Sequence, residues 1–239
     1  SKKRNLPAWN TFEPGSVMKS FLVASAIEEG VVNDKTIIDC EMGKRRIGKY
    51  IIHDVNKKGN LNISGVLNFS SNIGASKIIE KISNNKYYSF LKNLGFGSKT
   101  NIQLPGEAKG ILINPEKWSQ IQAANISFGQ GMSVTSLQLA KALSIIANGG
   151  VNVEPYLIKS ITNSKGEVIF KKELNPGRRV ISYTTSKKMR KLLKSVVEDG
   201  GGFKAQIEGV SVSGKTGTGQ VATKGGYSKE RFIVSFIGF

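Results

Sequence analysis

Cysteine and histidine each occur once in these 239 residues, as Cys40 and His53. One cysteine excludes an intrachain disulfide and leaves the redox compartment undecided; Cys40 is read as structural or incidental. With no His/Cys cluster there is no basis for a metal site, and no metal or other cofactor is expected. A Ser-His-Asp triad would have to use His53, whose near acid is the adjacent Asp54, and that pair is assigned to a structural loop. No apolar run approaches the ~20 residues needed to cross a bilayer. No signal peptide is visible at Ser1. The glycines contain no G-x-x-x-x-G-K-[ST] phosphate loop.

Acidic side chains are also scarce: 17 Asp and Glu face 35 Lys and Arg, a formal net charge of +18. Such an excess favours an anionic partner. The basic residues are scattered, however, in short runs such as Lys2-Lys3-Arg4, Lys44-Arg45-Arg46 and Lys187-Lys188. None is interleaved with aromatics as a base-stacking surface requires. Compositional bias accounts for most of the excess, and no specific nucleic acid is expected. The length suits one sizeable domain or two small ones. The abrupt start and the finish inside the pattern Phe232–Phe239 suggest a portion of a longer chain.

What is present organises around Phe12-Glu13-Pro14-Gly15-Ser16-Val17-Met18-Lys19. Pro14-Gly15 reads as a turn, and Ser16 to Glu29 as a helix with an apolar stripe. Residues 1–11 read as an extended lead-in and residues 31–60 as a loop-rich excursion with β-like runs at Thr36–Ile38 and Tyr50–Ile52. Residues 61–83 are helical with a break at Asn68–Asn72, and Tyr87–Leu94 is a short helix closed by Gly95. Residues 96–116 are irregular; Trp118–Phe128 and Ser136–Asn148 are helical. Strand-like runs flank a turn at Asn163-Ser164-Lys165-Gly166 within Val151–Phe170. Thr184–Glu198 is a basic amphipathic helix with a solvated charged face. Val210–Lys215 and Arg231–Gly238 form a hairpin around a Gly- and Lys-rich loop.

Positions three apart on a helix share a face, so Ser16 and Lys19 can touch. A serine hydroxyl becomes a nucleophile when a neighbour takes its proton, and a lysine can do so if burial or nearby positive charge lowers its pKa. Backbone N–H groups at the helix start favour negative charge on Ser16 and an attached oxyanion. Two more signatures follow in order: Ser70-Ser71-Asn72 in a helix break and Lys215-Thr216-Gly217-Thr218 at the end of a β-like run. Each alone has a structural explanation, as a helix cap or a strand-to-turn transition. S-x-x-K, S-D-N and K-T-G together mark penicillin-binding proteins and class A β-lactamases; here the middle motif is S-S-N.

With the surrounding segments VLNFSSNIGASKI, LGFGSKTNIQLPGE, SFGQGMSVTSLQLAKA, DGGGFKA and SGKTGTGQ, the chain resembles the transpeptidase domain of class B penicillin-binding proteins, most of all the septal, cell-division branch. The resemblance spans nearly all of residues 1–239. It implies an α/β, β-lactamase/transpeptidase-like fold, an antiparallel sheet flanked by helices with the Ser16 helix at its centre. It also implies a partial domain, because only the Lys215 and Arg231 strands of a larger sheet are evident, and the membrane anchor and amino-terminal region are absent. A two-stranded sheet is marginal on its own, so the chain is expected to be a fragment or to fold poorly alone.

The resemblance further implies roles. Ser16 is the acylated nucleophile and Lys19 accepts its proton. Ser70 relays protons between Lys19 and the leaving amine, and Asn72 holds the substrate amide. Lys215 lowers the pKa of Lys19 and attracts the substrate carboxylate, which Thr216 and Thr218 bind. Gly217 leaves room for substrate along the strand edge. The N–H groups of Ser16 and Thr218 form the oxyanion hole. Gly129-Gln130-Gly131-Met132 resembles a segment of the active-site wall and takes no chemical step. Glu116, in a Pro-Glu-Lys-Trp context, is not a water-activating carboxylate. The implied partners are peptidoglycan stem peptides, β-lactams as covalent inhibitors, and membrane proteins of the division machinery including a glycosyltransferase. The implied location is the outer face of the cytoplasmic membrane. A serine β-lactamase, and a β-lactam sensor or non-catalytic wall-binding module, stand as alternatives; a nucleic-acid binder is a distant one.

Overall fold

The computed structural model describes residues 5–173, 175–223 and 226–239. The basic run Lys2-Lys3-Arg4 therefore lies outside the described residues. Eight α-helices are described: α1 (Leu6–Trp9), α2 (Met18–Glu28), α3 (Ile63–Asn68), α4 (Asn72–Ile79), α5 (Asn84–Asn93), α6 (Gln120–Ser127), α7 (Ser136–Ala147) and α8 (Tyr183–Glu198). The strands are β1 (Thr11–Phe12), β2 (Ile37–Asp39), β3 (Lys44–Ile47), β4 (Tyr50–His53), β5 (Asn60–Asn62), β6 (Val134–Thr135), β7 (Val151–Asn152), β8 (Ser160–Thr162), β9 (Val168–Lys171), β10 (Arg178–Arg179), β11 (Gly214–Thr223) and β12 (Gly226–Gly238). Every described pairing is antiparallel and two-stranded. No described helix is long and apolar enough to cross a membrane.

The centre of the core is α2. Met18 through Ala26 are buried without a break, so this helix is enclosed on all sides rather than presenting one apolar stripe. Phe21 meets Phe96 edge-to-face with ring centroids 5.4 Å apart. Around α2 pack α4, α5, α6 and α8. Their starts are fixed by side-chain caps, which satisfy the free N–H groups of a first turn. Ser71 caps α4, Ser119 with Gln122 and Thr135 with Gln138 form capping boxes on α6 and α7, and Ser182 caps α8. The Glu28 carboxylate at the far end of α2 reinforces that last cap, accepting from Ser182 N–H and Oγ at 2.9 Å each.

The long hairpin of β11 and β12 sets Lys215 opposite Ile237 and Thr218 opposite Val234, with an irregularity between Gln220 and Ala222. It packs against α7, α8 and the 3-10 turn Gly15–Val17. Those helices supply the apolar cover that two strands alone lack.

The helix break at Asn68–Asn72 falls as expected, between α3 and α4. Several boundaries differ, most of all those of the lead-in and the hairpin. The lead-in is not uniformly extended: Asn5 precedes a helical turn at Leu6–Trp9 with Pro7 in its first turn, a position where proline's missing N–H costs nothing. Strand β11 begins at Gly214 rather than at Val210, which instead bridges Ile207, and runs on through Gly217 and Gly219 to Thr223, so that β12 starts at Gly226 rather than at Arg231. Of the expected loop, Lys224 and Gly225 lie outside the described residues.

Candidate active site

Lys19 is the hub. Its side chain is fully buried and Lys215 is 1% exposed. Helix α2 carries Lys19 one turn beyond Ser16, and its Nζ lies 2.8 Å from Ser16 Oγ. The break between α3 and α4 delivers three more acceptors: Ser70 O at 2.7 Å, Ser70 Oγ at 3.1 Å and Asn72 Oδ1 at 2.8 Å. Strand β11 brings Lys215 Nζ to 3.1 Å from the same Ser70 Oγ. Ser70 thus stands between the two amines. Its φ of +55° is a left-handed conformation that costs a non-glycine residue free energy and is retained where surrounding contacts enforce it.

The hydrogen bonds specify what a neutral Lys19 can do. A backbone carbonyl and an amide oxygen only accept, so Ser70 O and Asn72 Oδ1 take two N–H groups. Asn72 Nδ2 donates to His53 O at 3.0 Å, which fixes the oxygen of that amide toward Lys19. The remaining lone pair of a neutral amine can then receive the Ser16 hydroxyl proton. Burial first, and then the neighbouring Lys215 ammonium, hold the Lys19 pKa well below the ordinary lysine value, with Asp54 pulling the other way. Burial likewise lowers Lys215, to about 8.

The nucleophile turn is wedged between two backbone segments. Gly15 (φ +60°) donates its N–H to Gly129 O at 3.0 Å, and any Cβ on Gly129 would collide with the Gly15 backbone. On the other side, a Cβ at Gly217 would sit 2.7 Å from both Pro14 O and Ser235 Oγ and 2.9 Å from Val17 Cγ1. Glycine is therefore needed there so that β11 can lie against the nucleophile turn. That reason stands beside the expected one, space for substrate along the strand edge, because Gly217 also lines the cleft over Ser16.

A cleft of about 380 Å³ opens over these groups, lined by Ser16, Ser70, Asn72, Gln130, Thr216 and Thr218 among others. No carboxylate lines it among the described residues; Glu116 sits exposed in a 3-10 turn elsewhere. All eight singled-out residues thus come together: Ser16, Lys19, Ser70, Asn72 and Lys215 in one hydrogen-bonded chain, and Thr216, Gly217 and Thr218 along the strand beside it.

Two residues escaped the sequence reading. Asp54, placed in a structural loop, has its carboxylate at the start of α4, accepting from Ser71 Oγ at 2.5 Å and Asn72 N at 2.6 Å. Glu13 accepts from Gly131 N–H at 3.0 Å and Tyr227 O–H at 3.1 Å. It ties the nucleophile turn to the 129–131 wall and the distal hairpin, and burial raises its pKa. Glu13 lies inside the Phe12–Lys19 stretch that carries the nucleophile, which is a signal for it; nothing near Asp54 in the sequence signals its partners.

Across residues 1–239 the chain matches the family model described as the penicillin binding protein transpeptidase domain. The chain belongs to the penicillin-binding transpeptidase family. Stage V sporulation protein D of Bacillus subtilis is 38% identical over 244 residues, covering 99% of this chain and 37% of that protein. "Probable peptidoglycan D,D-transpeptidase PenA" of Neisseria flavescens is 32% identical, covering 100% of this chain and 56% of that protein. The chain thus spans from about a third to just over half of these curated relatives. Among solved structures, penicillin-binding protein 3 of Mycobacterium tuberculosis complexed with aztreonam superposes with a TM-score of 0.91 at 31% identity, over 98% of this chain and 54% of that one. As a class B transpeptidase domain, the chain has its α/β fold, antiparallel sheets and surrounding helices accounted for.

Proposed function

We propose that this transpeptidase domain cross-links peptidoglycan stem peptides through an acyl-enzyme on Ser16. The observation that carries the reading is the position of Ser16 Oγ, 2.8 Å from a buried amine whose two N–H groups are already committed. Lys19 takes the Ser16 proton as Oγ attacks the carbonyl of the penultimate D-alanine. The proton passes by way of Ser70 to the departing amine, and terminal D-alanine leaves. An acceptor amine then attacks the ester, returns its proton along the same route and frees Ser16. Splitting one amide exchange into two ester steps lowers each barrier.

The Ser16 and Thr218 N–H groups hold the oxyanion, where preorganised donors contribute most. Lys215, Thr216 and Thr218 bind the terminal carboxylate, and Asn72 the substrate amide. β-Lactams acylate the same hydroxyl, but their leaving amine stays tethered in the adduct. Among the described residues no carboxylate lines the cleft, which supports transfer to an amine over activation of water. The septal wall is the proposed setting, with the domain held outside the cytoplasmic membrane by an anchor elsewhere in a longer protein, beside division proteins including a glycosyltransferase.

A donor stem pentapeptide offered with an acceptor amine should release D-alanine and yield the cross-linked amide, and a penicillin adduct should persist for hours. Turnover of the adduct within seconds would make the chain a β-lactamase. Acylation with no cross-linking would make it a sensor or a wall-binding module.

A further inference from the structure

We propose that Asp54 is a positioning residue for the acylation step, clamping the S-S-N segment onto Lys19 and setting a negative charge behind it. The proposal rests on the reading of Lys19 as the base for Ser16. Asp54 follows β4 and meets the first turn of α4, where the helix dipole favours an anion. Oδ1 accepts the N–H groups of Asn72 at 2.6 Å and Ile73 at 3.1 Å, and Oδ2 accepts Ser71 Oγ at 2.5 Å. The preceding residue holds the Asn72 side chain through the His53 carbonyl. Residues 53 and 54 therefore fix Asn72 by backbone and side chain together. Ser70, in its left-handed conformation, is pinned between this clamp and Lys19.

The charge has a second effect. The ionisable groups that act on Lys19 are Lys215 from β11, which disfavours its ammonium, and Asp54, which favours it. Asp54 also acts electrostatically on the buried Cys40, as do Lys77 and Asp39. A general base works best with a pKa near the working pH. Burial and Lys215 together would strip Lys19 of proton affinity, and Asp54 restores part of it.

The test is the acylation rate with a fluorescent penicillin, measured across pH for the wild type, Asp54→Asn and Ser71→Ala. Asp54→Asn keeps the shape and removes the charge. It should acylate about 10²-fold more slowly, the scale of a roughly 1 Å misplacement, and the limb on which the rate rises with pH should move to lower pH. Ser71→Ala keeps the carboxylate, so it should slow the reaction and leave that limb in place. An Asp54→Asn protein with the wild-type rate, or slowed with an unmoved limb, overturns the proposal; the latter is what a purely structural role produces. If Asp54→Asn does not fold, a wild-type rate in Ser71→Ala overturns it equally. A wild type that takes no label on Ser16 would overturn the parent reading as well, so the two failures are distinct.

Discussion

Replacing Lys19 with methionine should slow acylation of Ser16 by roughly 10²- to 10⁴-fold, the contribution of a positioned general base. Methionine has nearly the length of the lysine stem and suits a site that is already fully buried. The substitution strands Ser70 O and Asn72 Oδ1, and each unmatched buried acceptor costs about 1–3 kcal/mol. It also removes an amine whose charging in this interior is unfavourable. The domain should therefore melt cooperatively at a somewhat lower temperature. Rapid-quench labelling with a penicillin, beside a thermal melt, separates the two effects. A folded variant with the wild-type acylation rate would remove Lys19 from the mechanism.

Ser16→Ala should abolish covalent labelling altogether and leave stability nearly unchanged. The Ser16 hydroxyl has Lys19 Nζ as its described side-chain partner, and Lys19 keeps Ser70 O, Ser70 Oγ and Asn72 Oδ1 when it is lost. One hydrogen bond is worth about 1 kcal/mol net, so the melt should shift by a few degrees at most. The Ser16 backbone N–H, the proposed oxyanion donor, is unaffected. Noncovalent binding of a penicillin should persist in this variant, while intact mass shows no adduct. An adduct of full stoichiometry on the alanine variant would place the nucleophile elsewhere.

Much of the site was legible because its chemistry is carried by short local runs. Ser16 and Lys19 are related by helix geometry alone, and the break that presents Ser70 and Asn72 is written in Asn68–Asn72 itself. The helices were legible for similar reasons: a stop such as Gly95 acts within a turn, though the Ser119–Gln122 capping box that starts α6 two residues after the expected Trp118 was not read. What stayed hidden depends on distant contacts. Asp54 gains its meaning when β3 and β4 return the chain to the start of α4. The packing need for glycine at 217 shows only once Pro14 and Val17 are found pressed against it. The start of β12 at Gly226 was obscured by glycines and lysines that normally signal a loop. The pairing of Thr11–Phe12 with Val134–Thr135 leaves no local trace in either segment. The small turn at Leu6–Trp9 did carry a signal, Asn5 followed by Pro7, but too few residues to stand out.

The account turns on two buried amines, one neutral and one charged, and the acylation rate as a function of pH tests that most directly. Burial and the Lys215 charge lower Lys19, so the neutral base should be present well below the ordinary lysine value, and the rate should rise with pH as it forms. Lys215, with its pKa lowered to about 8, should lose its charge above that pH and with it the attraction for the substrate carboxylate. The predicted profile is therefore a bell whose falling limb lies near pH 8. A single rise centred on the pKa of an ordinary exposed lysine, with no fall beyond it, would contradict the account.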